Sequence, residues 1–209
     1  MTRILAIFLL VVTCLGHSFV SHGASVEDVK ETQSPAEISN YLSRQTEELI
    51  DYYFAAARVG DLELMEAFRS SGISLNLRNH KGYTPLMVAA YNGQEVMVDY
   101  LLQYGADACA EDKRGNTALM AAVFRGELRI SKRLISADCN PDQTNKRGMT
   151  AAMFAALFGR EDVLLELKKR GADLSKKDMS GSDAASLAAG QGNRDLSELI
   201  ESLPDERNR

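Results

Sequence analysis

The 209 residues predict an all-α protein: a solenoid of stacked helix–turn–helix units with β-turn fingers, preceded by a cleaved export signal. The first observation is a glycine rhythm with an interval of 33 residues. One series is Gly82, Gly115, Gly148 and Gly181, and a second is Gly60, Gly93, Gly126, Gly159 and Gly192. A third, Gly72, Gly105 and Gly171, has Asp138 in its remaining slot, and Asp enters a left-handed conformation more readily than most residues. The second observation is that the text between glycines repeats: "KGYTPLMVAAYNGQEVMVDYLLQYGAD" aligns with "RGNTALMAAVFRGELRISKRLISADCN" and "RGMTAAMFAALFGREDVLLELKKRGAD". A period of this size marks a solenoid of supersecondary units. The third is the apolar N-terminus.

Taken in order, the opening "MTRILAIFLLVVTCLGHSFVSHGA" has a basic start at Arg3, an apolar centre over residues 4–15 and a small-residue exit. That is the layout of a secretory signal. An uncleaved anchor, the competing reading, would need about 20 apolar residues to cross the hydrocarbon core. Ser21 and Gly23 place cleavage after Gly23, with Ala24 as the alternative. A lipoprotein reading of Cys14 is weak, because Thr13 is a poor residue before a lipidated cysteine.

Residues 24–46 read as a linker and a short helix in "SPAEISNYLSRQ", with Ser34 as cap, Pro35 as opener and Glu37 completing a capping box. A partial capping repeat spans 47–79, full repeats span 80–112, 113–145 and 146–178, and a more polar closing repeat spans 179–203. Its outer side faces water, which explains the polarity. Residues 204–209 form a tail. Within each unit, Thr84, Thr117, Thr150 and Asp183 are expected to cap a first helix, and Pro85 sits where a missing N–H costs nothing. Alanines at 89/90, 122 and 155/156 allow close helix approach. Gly93, Gly126 and Gly159 stop the first helix, and segments such as "EVMVDYLL" supply the second.

The glycine turn, the Thr-Pro-Leu start, the paired alanines, the mid-repeat glycine and the closing Gly-Ala-Asp resemble the ankyrin repeat. Met87, Met120 and Met153 replace the family's usual histidine, and they are expected to fill a buried layer as flexible thioethers. The combination with an export signal resembles the small periplasmic ankyrin proteins of Gram-negative bacteria. That resemblance implies a noncatalytic periplasmic protein that supports a partner, with a link to catalase and peroxide defence. An immunity protein against a toxin delivered to the periplasm is the alternative.

The resemblance also implies which residues meet the partner. At the helix ends these are Tyr91, Asn92, Phe124, Arg125, Leu157 and Phe158. At the turns they are Lys81, Tyr83, Lys113, Arg114, Lys146, Arg147 and Met149, beside His80. Aromatic and arginine side chains are the usual carriers of binding energy. Basic turns in an acidic chain point to a partner with an acidic rim.

Chemistry has little to build on. Signal removal leaves 23 Lys and Arg against 29 Asp and Glu, a net charge of −6, which argues against nonspecific nucleic-acid or membrane binding. It also leaves His80 as the sole histidine, on a turn tip. No phosphate-binding loop, metal cluster or cofactor motif is expected, and catalysis is not expected. The partner is another protein, with no nucleic acid and no membrane insertion, and the chain is expected to be a monomer.

The two remaining cysteines read as free thiols. Cys139 occupies the slot of Ala106 and Ala172 and should be a small buried filler, whereas Cys109 lies in the preceding loop. Stacked units are offset by about a helix-pair width, which would hold the two Cα atoms beyond the roughly 7 Å limit for bridging. An exported protein nevertheless tends to pair an even number of thiols.

Overall fold

The computed structural model describes residues 35–204, with side chains from residue 43. The export signal, its cleavage site, the linker to residue 33, the Ser34 cap and residues 205–209 lie outside that range. Among the described residues there are ten α-helices and no strand, and no helix is long and apolar enough to cross a membrane.

The helices form five pairs: α1 (Pro35–Val59) with α2 (Leu62–Ser70), α3 (Pro85–Tyr91) with α4 (Glu95–Gln103), and α5 (Ala118–Arg125) with α6 (Leu128–Ile135). Then come α7 (Ala151–Leu157) with α8 (Glu161–Lys169), and α9 (Ala184–Gly190) with α10 (Arg194–Ser202). First helices pack against first helices along one row, and the second helices α4, α6 and α8 along another. Helix α1 differs from its expectation. The helix that begins at Pro35 does not stop before the repeats but runs through to Val59, because no glycine or proline interrupts it until Gly60. Its last carbonyls are then reached from the next unit, where the Gln94 side chain donates to Arg58 O at 3.0 Å.

Four of the first helices start on the expected caps. The Thr84, Thr117 and Thr150 hydroxyls accept from Met87, Met120 and Met153 N–H at 3.3, 3.3 and 3.2 Å, and the Asp183 carboxylate accepts from Ser186 N–H at 2.9 Å. The mid-repeat glycines have positive φ, and they also clear space. A Cβ on Gly93 would come within 2.9 Å of the Glu127 carboxylate, and one on Gly126 within 2.8 Å of the Arg160 guanidinium. Each unit therefore lays the side chain that opens its second helix over the turn of the unit before it.

The core runs between the two rows. Ala89, Ala90, Ala122, Ala155 and Ala156 are fully buried, and the methionine layer Met87, Met120 and Met153 is buried with them. Met153 also uses its sulfur locally, accepting from Thr150 N–H at 3.4 Å.

The cysteines overturn the free-thiol expectation. Cys109 and Cys139 form a disulfide with their Cα atoms 5.5 Å apart, and both residues are half-buried, so Cys139 is not a core filler. The helix-pair offset is the wrong measure here because the loops lean across the junction. Asp107 N–H donates to Asn76 Oδ1 and Asp173 N–H to Asp142 Oδ1, both at 2.8 Å and both 31 residues apart. A separation of 30 residues therefore falls where neighbouring loops touch.

Candidate functional site

Each finger is a five-residue turn shaped by one side chain. Asn79, Asp112, Asn145 and Asp178 recur at the 33-residue interval, and the Oδ1 of each accepts two finger N–H groups. For Asp112 these are Arg114 N–H at 2.7 Å and Asn116 N–H at 2.8 Å. Short polar side chains bond their own backbone two residues on in this way. The Asp178 carboxyl is held below its ordinary pKa by the Ser180 hydroxyl and the Ser182 N–H. This fourth phased series was readable as a spacing, but the alternation of Asn with Asp conceals it.

Neighbouring fingers are joined backbone to backbone. Lys113 N–H donates to Lys81 O at 3.2 Å, Lys146 N–H to Arg114 O at 2.9 Å and Met179 N–H to Arg147 O at 3.0 Å. The turn glycines permit this approach: a Cβ on Gly82 would sit 2.8 Å from Lys113 N, and one on Gly115 2.9 Å from Lys146 N. The ladder sets Lys81, Lys113, Arg114, Lys146 and Arg147 in one row of exposed cations, with His80 exposed beside them. The ion pairs found among the described residues lie on the second helices instead, at Glu66–Arg69, Glu95–Arg129, Asp99–Arg133 and Glu166–Lys169.

The C-terminal ends of the first helices carry a file of rings. Tyr91 and Phe124 stack with centroids 6.1 Å apart and planes at 14°, and Phe158 meets Phe124 edge-on at 5.0 Å. Tyr91 and Phe124 are each 43% exposed and Phe158 36%, so the file is solvent-facing and not part of the core. Arg125 places its guanidinium over the Tyr91 ring at 5.1 Å, a cation–π contact that fixes both side chains.

The expected site residues divide by position. Tyr91, Phe124, Arg125 and Phe158 converge in the file, whose third ring belongs to Phe158, while Leu157 is half-buried beside it. Asn92 is exposed, but its amide donates to Val88 O at 2.7 Å. In two fingers the last residue turns inward. Met149 is 5% exposed, which removes it from the binding surface, and Tyr83 is half-buried against the core. The reason is the turn itself: Asn145 Oδ1 holds Met149 N–H at 3.1 Å, which closes the finger and sends that side chain below it.

Elsewhere, an open groove of about 330 Å³ lies between α4 and α6. Arg133 pairs there with Asp99 at 2.9 Å and Arg129 with Glu95 at 3.6 Å, and Lys132 also lines the groove. Among the described residues no group of three or more His, Cys, Asp or Glu side chains is placed to hold a metal ion.

Residues 53–144 match the family model for ankyrin repeats, in three copies. A Pseudomonas aeruginosa protein named for its ankyrin repeats is 40% identical over 52 residues, which is 25% of this chain and 30% of that protein. An IkB-like protein of African swine fever virus is 32% identical over 86 residues, 40% of this chain and 36% of the viral one. The mouse 60 kDa lysophospholipase is 47% identical over 51 residues, 24% of this chain and only 9% of the mouse protein. The chain thus spans well under two thirds of these relatives, and the likeness is one of repeats. Repeats of this kind serve generally as protein-binding modules and not as enzymes. Residues 53–144 are thus ankyrin repeats, and caps, turn glycines and paired helices of the same build continue to Ser202.

Proposed function

We propose that this protein is a noncatalytic binding module that works in the periplasm and holds a partner protein against its finger row and aromatic file. The observation that carries this reading is the combination of the exposed Tyr91–Phe124–Phe158 file with an exposed row of five cations. Rings provide desolvated contact area, and the cations select an acidic rim. The N-terminal signal pattern supports export. The inter-repeat disulfide supports it too, since such bonds persist in oxidising compartments. The resemblance to small exported ankyrin proteins makes a catalase or another peroxide-defence enzyme the first partner to test.

The test is capture from a periplasmic extract by the wild-type chain and by the Tyr91→Ala/Phe124→Ala variant. The variant should lose the partner while its thermal midpoint falls by only a few degrees, the effect of removing half-exposed rings. A large loss of stability would show that the rings serve the fold. Recovery of a secreted toxin in place of a peroxide-defence enzyme would assign the module to immunity. Fractionation and intact mass of the cell-derived protein test export; a cytoplasmic, full-length chain would overturn it.

A further inference from the structure

Four second helices lead into a further repeat, and three of their four exits are built alike. After α2, α4 and α8, a glycine at φ 84°, 88° and 87° (Gly72, Gly105, Gly171) turns the chain back. The following N–H then closes onto the helix: Ile73 on Phe68 O at 3.1 Å, Ala106 on Leu101 O at 2.8 Å and Ala172 on Leu167 O at 3.0 Å. This is the 6→1 closure of a Schellman motif, and it satisfies a carbonyl that would otherwise be orphaned. After α6 the glycine slot holds Asp138. There Cys139 N–H bonds Ala137 O at 2.9 Å, so the 6→1 closure is missing, and Leu134 O accepts from Ala137 N–H at 3.1 Å instead.

The same junction lacks a second feature. On either side of it, a loop side chain accepts from the next loop's backbone, Asn76 from Asp107 and Asp142 from Asp173. Cys109 occupies that acceptor position in between, and its sulfur is bonded to Cys139. Both cysteines lie on the segments that rise into fingers 112–116 and 145–149, which carry four of the five finger cations.

We propose that the Cys109–Cys139 disulfide is a redox-sensitive clasp that replaces the closing glycine and the loop-to-loop hydrogen bond at the one junction lacking both, and so holds two basic fingers in place. Its effect on recognition rests on the proposed binding role of those fingers. The reductant is a dithiol. Its thiolate attacks one half-buried cysteine sulfur and releases the other cysteine, giving a mixed disulfide; its second thiol then closes onto the dithiol's own bonded sulfur and releases the attacked cysteine. One S–S bond breaks, one forms in the dithiol, and two electrons and two protons pass to the cysteine pair. What then remains between the loops is the Gln143 amide, donating to Cys109 O at 3.0 Å and Glu111 Oε1 at 2.8 Å, the Asn145 amide, donating to Asn116 Oδ1 at 2.9 Å, and the backbone rung from Lys146 to Arg114.

Hydrogen exchange on the full chain, with and without dithiothreitol, tests the clasp without a partner. Reduction should speed exchange of amides in residues 136–146 about tenfold or more while helices α7 and α8 keep their protection. The variant C109N/D138G/C139A restores the residues used by the flanking repeats; its protection should match that of the oxidised chain and ignore dithiothreitol. Unchanged exchange on reduction of the native chain would overturn the clasp, and a variant as loose as the reduced chain would overturn the substitution argument. A fluorescent hexaglutamate peptide at low salt reads the second half. Its affinity should fall about threefold or more on reduction. Equal affinities would refute redox control of the face. Absence of binding to the oxidised chain would instead count against an acidic partner, with the clasp still decided by exchange.

Discussion

Gly105 and Gly115 both sit at positive φ, 88° and 79°, yet they answer to different demands. A Cβ on Gly105 meets nothing within 4 Å, whereas on Gly115 it meets Lys146 N at 2.9 Å and Asn145 Cα at 3.0 Å. Gly105→Ala should cost about 1–2 kcal/mol of backbone strain. Gly115→Ala should cost about 1–3 kcal/mol more, because it must push the next finger away. Denaturant titration of the two variants checks the order, and equal losses would show that the finger yields freely. Glu66 makes a different residue-scale case. Its carboxylate accepts from Arg69 at 2.6 and 3.0 Å, from the Tyr100 hydroxyl across in α4 and from Ser70 at 2.8 Å. Arg69 first, then Tyr100, holds its pKa down to about 2 from an ordinary 4.5. A lowered folded pKa means the contribution is complete above the unfolded value and is lost as pH falls towards the folded one. The unfolding midpoint should therefore drop between pH 4.5 and about 2, with a shallower drop in Glu66→Gln. It should not be abolished, because Asp178 and Asp183 are also held low and act in the same direction. An identical acid slope in wild type and variant would remove Glu66 from the account.

At the scale of elements, Thr117 is the clearest probe. Its hydroxyl caps α5 through Met120 N–H at 3.3 Å, so Thr117→Ala should lower stability by about 1 kcal/mol, read by urea midpoint at constant slope. Caps, paired alanines and stop glycines were legible in the sequence because each is a single residue type kept in phase. What escaped the reading lacked that property. The finger-shaping Asn79, Asp112, Asn145 and Asp178 alternate between two residue types. The length of α1 is less legible, because Pro35 marks its start while no glycine or proline marks a stop before Gly60. The aromatic file was half legible: Tyr91 and Phe124 keep the repeat phase, while Phe158 enters one position later, where α7 has just ended. The disulfide was hidden by the period itself, since the loops meet at an offset of 30 or 31 residues and not 33.

For the whole molecule, stability should be graded along the stack, since each unit contacts only its neighbours. Helices α9 and α10, covered on one side only, should exchange their amides faster than α5 and α6, which are packed on both. Uniform protection across the array would mean that it unfolds as one block. The finger row also implies a charge dependence: capture of the partner should weaken as salt rises, whereas the Tyr91 and Phe124 contribution should persist. A salt-independent interaction would place recognition on the rings alone. The ladder that sets this row, from Lys81 O to Lys113 N and onward to Met179 N, uses only backbone atoms. Pitch and lettering are therefore written by separate parts of the chain. With the turn glycines and the Asn or Asp of each finger kept, the cations at the tips can be exchanged without breaking a rung, so the array can be retuned for a new partner one tip at a time while its ruler stays fixed.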